Sequence, residues 1–192
     1  MNKKLVLITI FGLYIPFTTL TSEKPNHQTT KQYSITTFDP ERDTQSVTNL
    51  FAKERYHLKN RYPESYIKSC HHNHYCDIKI LRENNEFAGF IGYYSSENRG
   101  NISYLAIEEN FRGKGYGKKL LTHSMKDLHN KGINSIKICT KHNNIPALTL
   151  YGKTGFKETF QGLDAICLEY NPSIIQTILS QLIKAQKNKE SF

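Results

Sequence analysis

Residues 112 to 117 read RGKGYG and run straight into Lys118, Lys119, Leu120 and Leu121. A glycine inside a helix costs about 1 kcal/mol relative to alanine. Three glycines in five residues must therefore serve something other than local stability, and bare backbone suits a ligand that comes close to the main chain. The loop follows the strand-like run ISYLAI (102–107) and precedes a helical pattern. Its N–H groups thus gather at a helix N-terminus, where free donors and the helix dipole favour an anion such as phosphate. Two other glycine patterns fail on spacing. A dinucleotide fingerprint begun at Gly113 meets Lys118 where its third glycine belongs, and a Walker loop ending in Gly152-Lys153-Thr154 meets Ala147. A second constellation is NIPALTLY (144–151) followed by Gly155-Phe156. Asn144 is a good helix N-cap, and Tyr151 is a hydroxyl donor placed near the end of the helix it would start.

The elements that position these residues alternate in type. SITTF (34–38) reads as a strand, and Asp39-Pro40-Glu41 opens a helix running towards His57. DIKIL (77–81) and EFAGFIGYY (86–94) form a hairpin around Glu83-Asn84-Asn85, and Asn98-Arg99-Gly100-Asn101 turns the chain into ISYLAI. Leu120, Leu121, Met125 and Leu128 recur at helical spacing until Gly132. SIKIC (135–139) is a strand. Asn144 caps a helix with Pro146 in its first turn and Gly155 as its stop, and FKETF (156–160) and AICLEY (165–170) close the core. Hairpins mixed with one crossover give an α+β, or mixed α/β, class.

The glycine loop matches the acetyl-CoA signature Arg/Gln-x-x-Gly-x-Gly/Ala, and residues 144–156 match Asn-x-x-Ala-x-x-Leu-Tyr-x-x-x-Gly-Phe. Together, in this order, they resemble the GNAT superfamily of N-acetyltransferases over roughly Ser34 to Tyr170. The resemblance implies a splayed, mostly antiparallel sheet flanked by helices, with acetyl-CoA as co-substrate. It also implies an amine of a small molecule or protein attacking the thioester directly. Backbone groups of Leu105, Ala106 and Ile107 would pair with the pantetheine arm. Arg112 and the loop from Gly113 through Lys114, Gly115, Tyr116 and Gly117 to Lys118 would hold the pyrophosphate. Asn144 would bond the pantetheine, and Tyr151 would be the general acid for the leaving thiolate. The base departs from the pattern: where some relatives carry a glutamate, this chain has Cys139 or Asn101, and Glu108 and Glu109 follow the strand. A catalytically degenerate acyl-CoA-binding module is the alternative function.

The ends lie outside the resemblance. Met1 to Lys4 is basic and Leu5 to Phe17 (LVLITIFGLYIPF) is apolar, too short for a usual bilayer span of about 20 residues but suited to a signal-peptide core. The expected organisation is a signal peptide or membrane anchor at 1–22, a polar linker at 23–33, the acetyltransferase domain at 34–171, and an amphipathic helix with a basic tail at 172–192. Export or membrane anchoring through the N-terminus follows, with a cytoplasmic location if that segment is not a functional signal. Ile174, Ile175, Ile178, Leu179, Leu182 and Ile183 give the tail helix its apolar face, which packs on its own domain, on a second copy or on a membrane. Cys139 and Cys167 sit in strand-like runs and read as small buried hydrophobes. CHHNHYC (70–76) reads as a plain loop, a disulfide-closed loop or a metal loop without an established zinc spacing. The net charge of +9 is scattered rather than blocked. It suits an anionic small ligand, and no specific nucleic-acid binding is expected.

Overall fold

The computed structural model describes residues 32–54, 63–72 and 76–172. Seven strands form one sheet: β1 (Tyr33–Thr37), β2 (Cys76–Glu83), β3 (Glu86–Ser96), β4 (Arg99–Ile107), β5 (Ser135–Lys141), β6 (Lys157–Gln161) and β7 (Ala165–Tyr170). Their spatial order is β1-β2-β3-β4-β5-β7-β6. Every neighbouring pair is antiparallel except β4 and β5. That parallel pair needs a crossover, and α3 (Tyr116–Asn130) supplies it. The expected mixed α+β sheet, mostly antiparallel and flanked by helices, is the architecture found.

Local chemistry sets the ends of the elements. Asp39 caps α1 (Pro40–Lys53) by accepting from the N–H groups of Glu41 and Arg42, with Pro40 at the first position. The β2–β3 turn is Asn84-Asn85, with φ of 50° and 69°, the left-handed pair that a two-residue hairpin turn requires. The next turn is tighter than the sequence suggested. It is Glu97-Asn98, and Arg99, Gly100 and Asn101 are already strand, paired with Ser96, Ser95 and Tyr94.

A helix escaped the sequence reading: α2 (Pro63–His72) runs into the cysteine–histidine segment. Asn73 to Tyr75 of that segment lie outside the described residues, as do the apolar start, nearly all of the linker and the tail from Ser173. Among the described residues, no helix is long and apolar enough to cross a membrane.

Two cores cover the two faces of the sheet. On one, Val47, Leu50 and Phe51 of α1 pack on Ile78, Ile80, Phe90 and Tyr104. On the other, Leu120, Leu121 and Leu128 of α3 pack on Ile91, Ile102, Ile136 and Ile138. Each such side chain contributes about 1.5–3 kcal/mol when fully buried. Ile102 and Tyr104 belong to opposite faces because β4 carries a bulge. Tyr93 pairs with Ile102 and Gly92 with Tyr104, so Ser103 is an extra residue that reverses the alternation.

Asp43 of α1, fully buried, ties the helix to the sheet through Arg82 of β2, while Arg42 beside it on the helix bonds the same carboxylate at 3.0 Å. Burial alone would raise its carboxyl, but the bonds from Arg42 and the Asp39 N–H, with the charge of Arg82, hold it below the usual range.

The cysteines correct an expectation. Cys139 and Cys167 face each other in the β5–β7 register and are bonded to each other rather than packed as free thiols. Cys70 of α2 is bonded to Cys76 of β2, the disulfide among the alternatives open for that segment.

Candidate active site

The strands β4 and β5 run together for four pairs, from Arg99 beside Ser135 to Ile102 beside Ile138, and then part. The bulge at Ser103 coincides with the parting. From Ser103 to Ile107, β4 pairs with β3 on one side and has no ladder partner on the other, so its N–H and C=O groups face a gap. That gap is a cleft of about 920 Å³. Leu105, Ala106 and Ile107 form one wall, Ile138, Cys139 and Thr140 the other, and the start of α3 closes one end.

The α3 terminus offers an anion free donors. Its N-cap is Gly115, which supplies no side-chain bond, and its first turn contains no acidic residue; α1 and α4 (Ile145–Lys153) are both capped by side chains. The orphan N–H groups of a helix start need a partner, and here the cleft leaves room for one. Gly113 and Gly115 have φ of 75° and 79°, and a Cβ on either would point into open space. The backbone there is both left-handed and bare, which are glycine's two uses. Gly117 has a different job: a Cβ would stand 3.3 Å from Leu150, so its absence lets α3 sit close to α4. Gly113, Gly115, Tyr116, Gly117 and Lys118 all line the cleft.

Lys114 does not line it with them. Its ammonium bonds Glu83 of β2 at 2.7 Å and lies 4.5 Å from the Phe111 ring centre. Glu83 also accepts from the buried Tyr116 hydroxyl. Burial first, and then this bond, push the Tyr116 phenol up to about 12. A single buried carboxylate therefore grips the loop at two alternate residues from behind. What Lys114 leaves towards the cleft is backbone. Arg112 is likewise occupied: its Nε donates to the Ile107 carbonyl at 3.0 Å and its Nη2 to Glu54 at 2.5 Å. It braces the end of β4 against α1.

On the opposite wall, Asn144 caps α4. Its Oδ1 accepts from the Ala147 N–H at 3.4 Å and its Nδ2 donates to Thr140 at 3.0 Å, which leaves one Nδ2 hydrogen uncommitted to these two bonds. Tyr151 is 5% exposed and lines the cleft, with its ring against Phe156. Burial pushes its phenol well above the ordinary value, so the hydroxyl keeps its proton at any working pH. The positions considered for a base divide. Asn101 and the disulfide-bonded Cys139 line the cleft, whereas Glu108 pairs with Lys53 at 3.0 Å and neither it nor Glu109 is a lining residue. Sequence reasoning passed over Glu54, Glu83, Tyr94, Ser103 and Lys137. None belongs to a motif: Glu54, Glu83 and Lys137 acquire their places from partners far away in the chain, and Tyr94 and Ser103 from the β3–β4 register.

Known proteins resemble the chain across this same region. The family model of the acetyltransferase (GNAT) family matches residues 44–156. A streptothricin acetyltransferase of Escherichia coli is 30% identical over 73 residues, which are 38% of this chain and 41% of that protein. An uncharacterised N-acetyltransferase of Bacillus subtilis (strain 168) is 29% identical over 101 residues, 50% of this chain and 68% of its own. The match to the first of these thus spans less than half of that relative's length. Among solved structures, the PaiA N-acetyltransferase of Thermoplasma acidophilum, in complex with coenzyme A, aligns with a TM-score of 0.62 at 18% identity, covering 73% of this chain and 99% of its own. The ribosomal-protein-S18-alanine N-acetyltransferase of Escherichia coli gives 0.61 at 18% identity, covering 72% and 93%. At this identity the two structures speak to the fold.

Proposed function

The chain belongs to the acetyltransferase (GNAT) family, acyltransferases whose co-substrate is acetyl-CoA, and from that premise we propose that it moves an acetyl group from acetyl-CoA to a primary amine. The observation that carries the reading is the parting of β4 and β5 in front of an uncapped, glycine-started helix. An extended amide arm fits the first feature and a pyrophosphate the second.

Acetyl-CoA supplies an activated thioester. The N–H groups opening α3 hold the phosphates, and the free edge of β4 orients the arm so that the thioester reaches the middle of the cleft. A neutral amine then attacks the carbonyl carbon. The C–N bond forms, the C–S bond breaks, the nitrogen loses a proton to water, and the Tyr151 hydroxyl gives one to the departing sulfur and regains it from solvent.

The test is release of free CoA thiol over a panel of amines, with the acetylated product identified by mass spectrometry. Equal amounts of thiol and N-acetyl product are expected. Acetyl-CoA binding with no product from any amine would favour the degenerate binding module instead.

We also propose that the protein works in an oxidising compartment. All four cysteines of the chain are joined in two disulfides, as is usual outside the reducing cytosol, and the basic-then-apolar start fits export. Cell fractionation with amino-terminal sequencing checks this; a soluble cytosolic protein that retains Met1 and reacts with thiol reagents would rule it out.

A further inference from the structure

The phosphate end of the cleft lies at the C-terminal end of β4, so an arm laid along that strand runs back towards Ser103. The amine must approach from beyond, where the walls are formed by Tyr94, Asn101 and Lys137. The register sets these three side by side: Tyr94 is opposite Asn101 on the neighbouring strand, and Asn101 is beside Lys137 on the next. Their neighbours Ile102 and Ile138 point into the α3 core, so the row faces the other side of the sheet.

The row has one cation and no carboxylate. Glu54, the sole carboxylate among the described residues lining the cleft, is held by Arg112 at the far end. Lys137 is exposed and makes no ion pair among the described residues. Glu169 lies across from it on β7, accepts from the Ser135 hydroxyl at 2.6 Å and does not line the cleft. The charge that this end of the cleft presents to an acceptor is that of Lys137, and it disfavours a polyamine. It attracts a molecule whose amine is accompanied by a negative group.

We propose, resting on the acetyl-transfer reading above, that the acceptor is an amine that also carries an anionic group and that Lys137 recognises that group. Carboxylate and phosphate share this chemistry, and the assay separates them.

The experiment compares kcat/KM for β-alanine, phosphoethanolamine and glycylglycine with that for 3-aminopropanol, putrescine and glycylglycine amide. Acetyl-CoA binding is measured in parallel, so that a misfolded variant is recognised. The wild-type protein is expected to prefer the anionic partner of at least one matched pair by about tenfold, the scale of one well-placed charge contact. Lys137→Gln should erase that preference and Lys137→Glu reverse it; the pair that responds identifies carboxylate or phosphate. Acetyl transfer with the same ratios in all three proteins, or a wild-type preference for the neutral or cationic amines, would overturn the proposal while leaving acetyl transfer intact. If Lys137→Glu alone failed to bind acetyl-CoA, Lys137→Gln would decide. Acetyl-CoA bound with no amine acetylated would overturn the transfer reading, and this one with it.

Discussion

Replacing Tyr151 with phenylalanine is expected to lower kcat by about 10²–10⁴-fold, the usual contribution of a positioned general acid, with little change in acetyl-CoA affinity. The substitution removes one oxygen and keeps the ring that packs against Phe156, so the wall of the cleft retains its shape. Burial holds the phenol above its ordinary value, and the sign of that shift matters. The protonated form is the donor, and raising the pKa extends its range to higher pH, so the wild-type kcat should show no alkaline fall below about pH 10 on account of Tyr151. The same shift stabilises the fold below the unfolded pKa of about 10, and the contribution is lost as pH rises through the folded value. Steady-state kinetics of both proteins over pH, with thiol release as the signal, check the argument. A variant with unchanged kcat would make Tyr151 a packing residue. A fall in kcat/KM caused by KM alone would assign it to binding.

The parts of this site legible in the sequence are those whose chemistry is local. RGKGYG announces itself because a left-handed, side-chain-free backbone needs glycine where it occurs, and Gly113 and Gly115 do have positive φ. Asn144 reads as a cap because its oxygen needs a donor only three residues on, at Ala147. Asn84-Asn85 reads as a turn for the same kind of reason. What escapes is set by register. The bulge at Ser103 has no composition of its own, and it exists because Gly92 and Tyr93 pair with residues on either side of it. Cys139 finds Cys167 across 28 residues of chain, and nothing in either strand alone distinguishes a cross-strand bond from two buried thiols. Glu83 looks like a turn-flanking surface residue until β2 brings it behind the glycine loop to meet Lys114. Lys137 alternates with Ile136 and Ile138 as any strand lysine would, and only the parallel pairing with β4 sets it beside Asn101. The helix α2 was missed because its cysteine and histidines drew a chemical reading, while its helical apolar spacing, Tyr66, Ile67 and Cys70, is short.

Gly115→Val is expected to weaken acetyl-CoA binding by about 10²–10⁴-fold, through two effects that act at one place. The first is conformational. At φ of 79° a non-glycine residue costs roughly 1–2 kcal/mol, and relief of that strain turns the peptide units that open α3 away from their present direction. The second is steric. A Cβ at this position meets no protein atom within 4 Å, so the branched side chain would project into the space beside the uncapped N–H groups instead of into the core. Charge-assisted hydrogen bonds contribute about 1.5–3 kcal/mol each, and losing two of them gives the stated range at 1.4 kcal/mol per tenfold. The fold should survive, because Glu83 still grips Lys114 and Tyr116 on either side of the substitution, and Leu120, Leu121 and Leu128 still anchor α3. Gly117→Val separates this mechanism from general damage. There the added carbon meets Leu150 at 3.3 Å, so that variant should lose thermal stability through the α3–α4 contact, whereas Gly115→Val should lose ligand first. Calorimetric titration with acetyl-CoA alongside thermal melting distinguishes the two. A folded Gly115→Val protein that binds acetyl-CoA as tightly as the wild type would remove the phosphate from the N-terminus of α3.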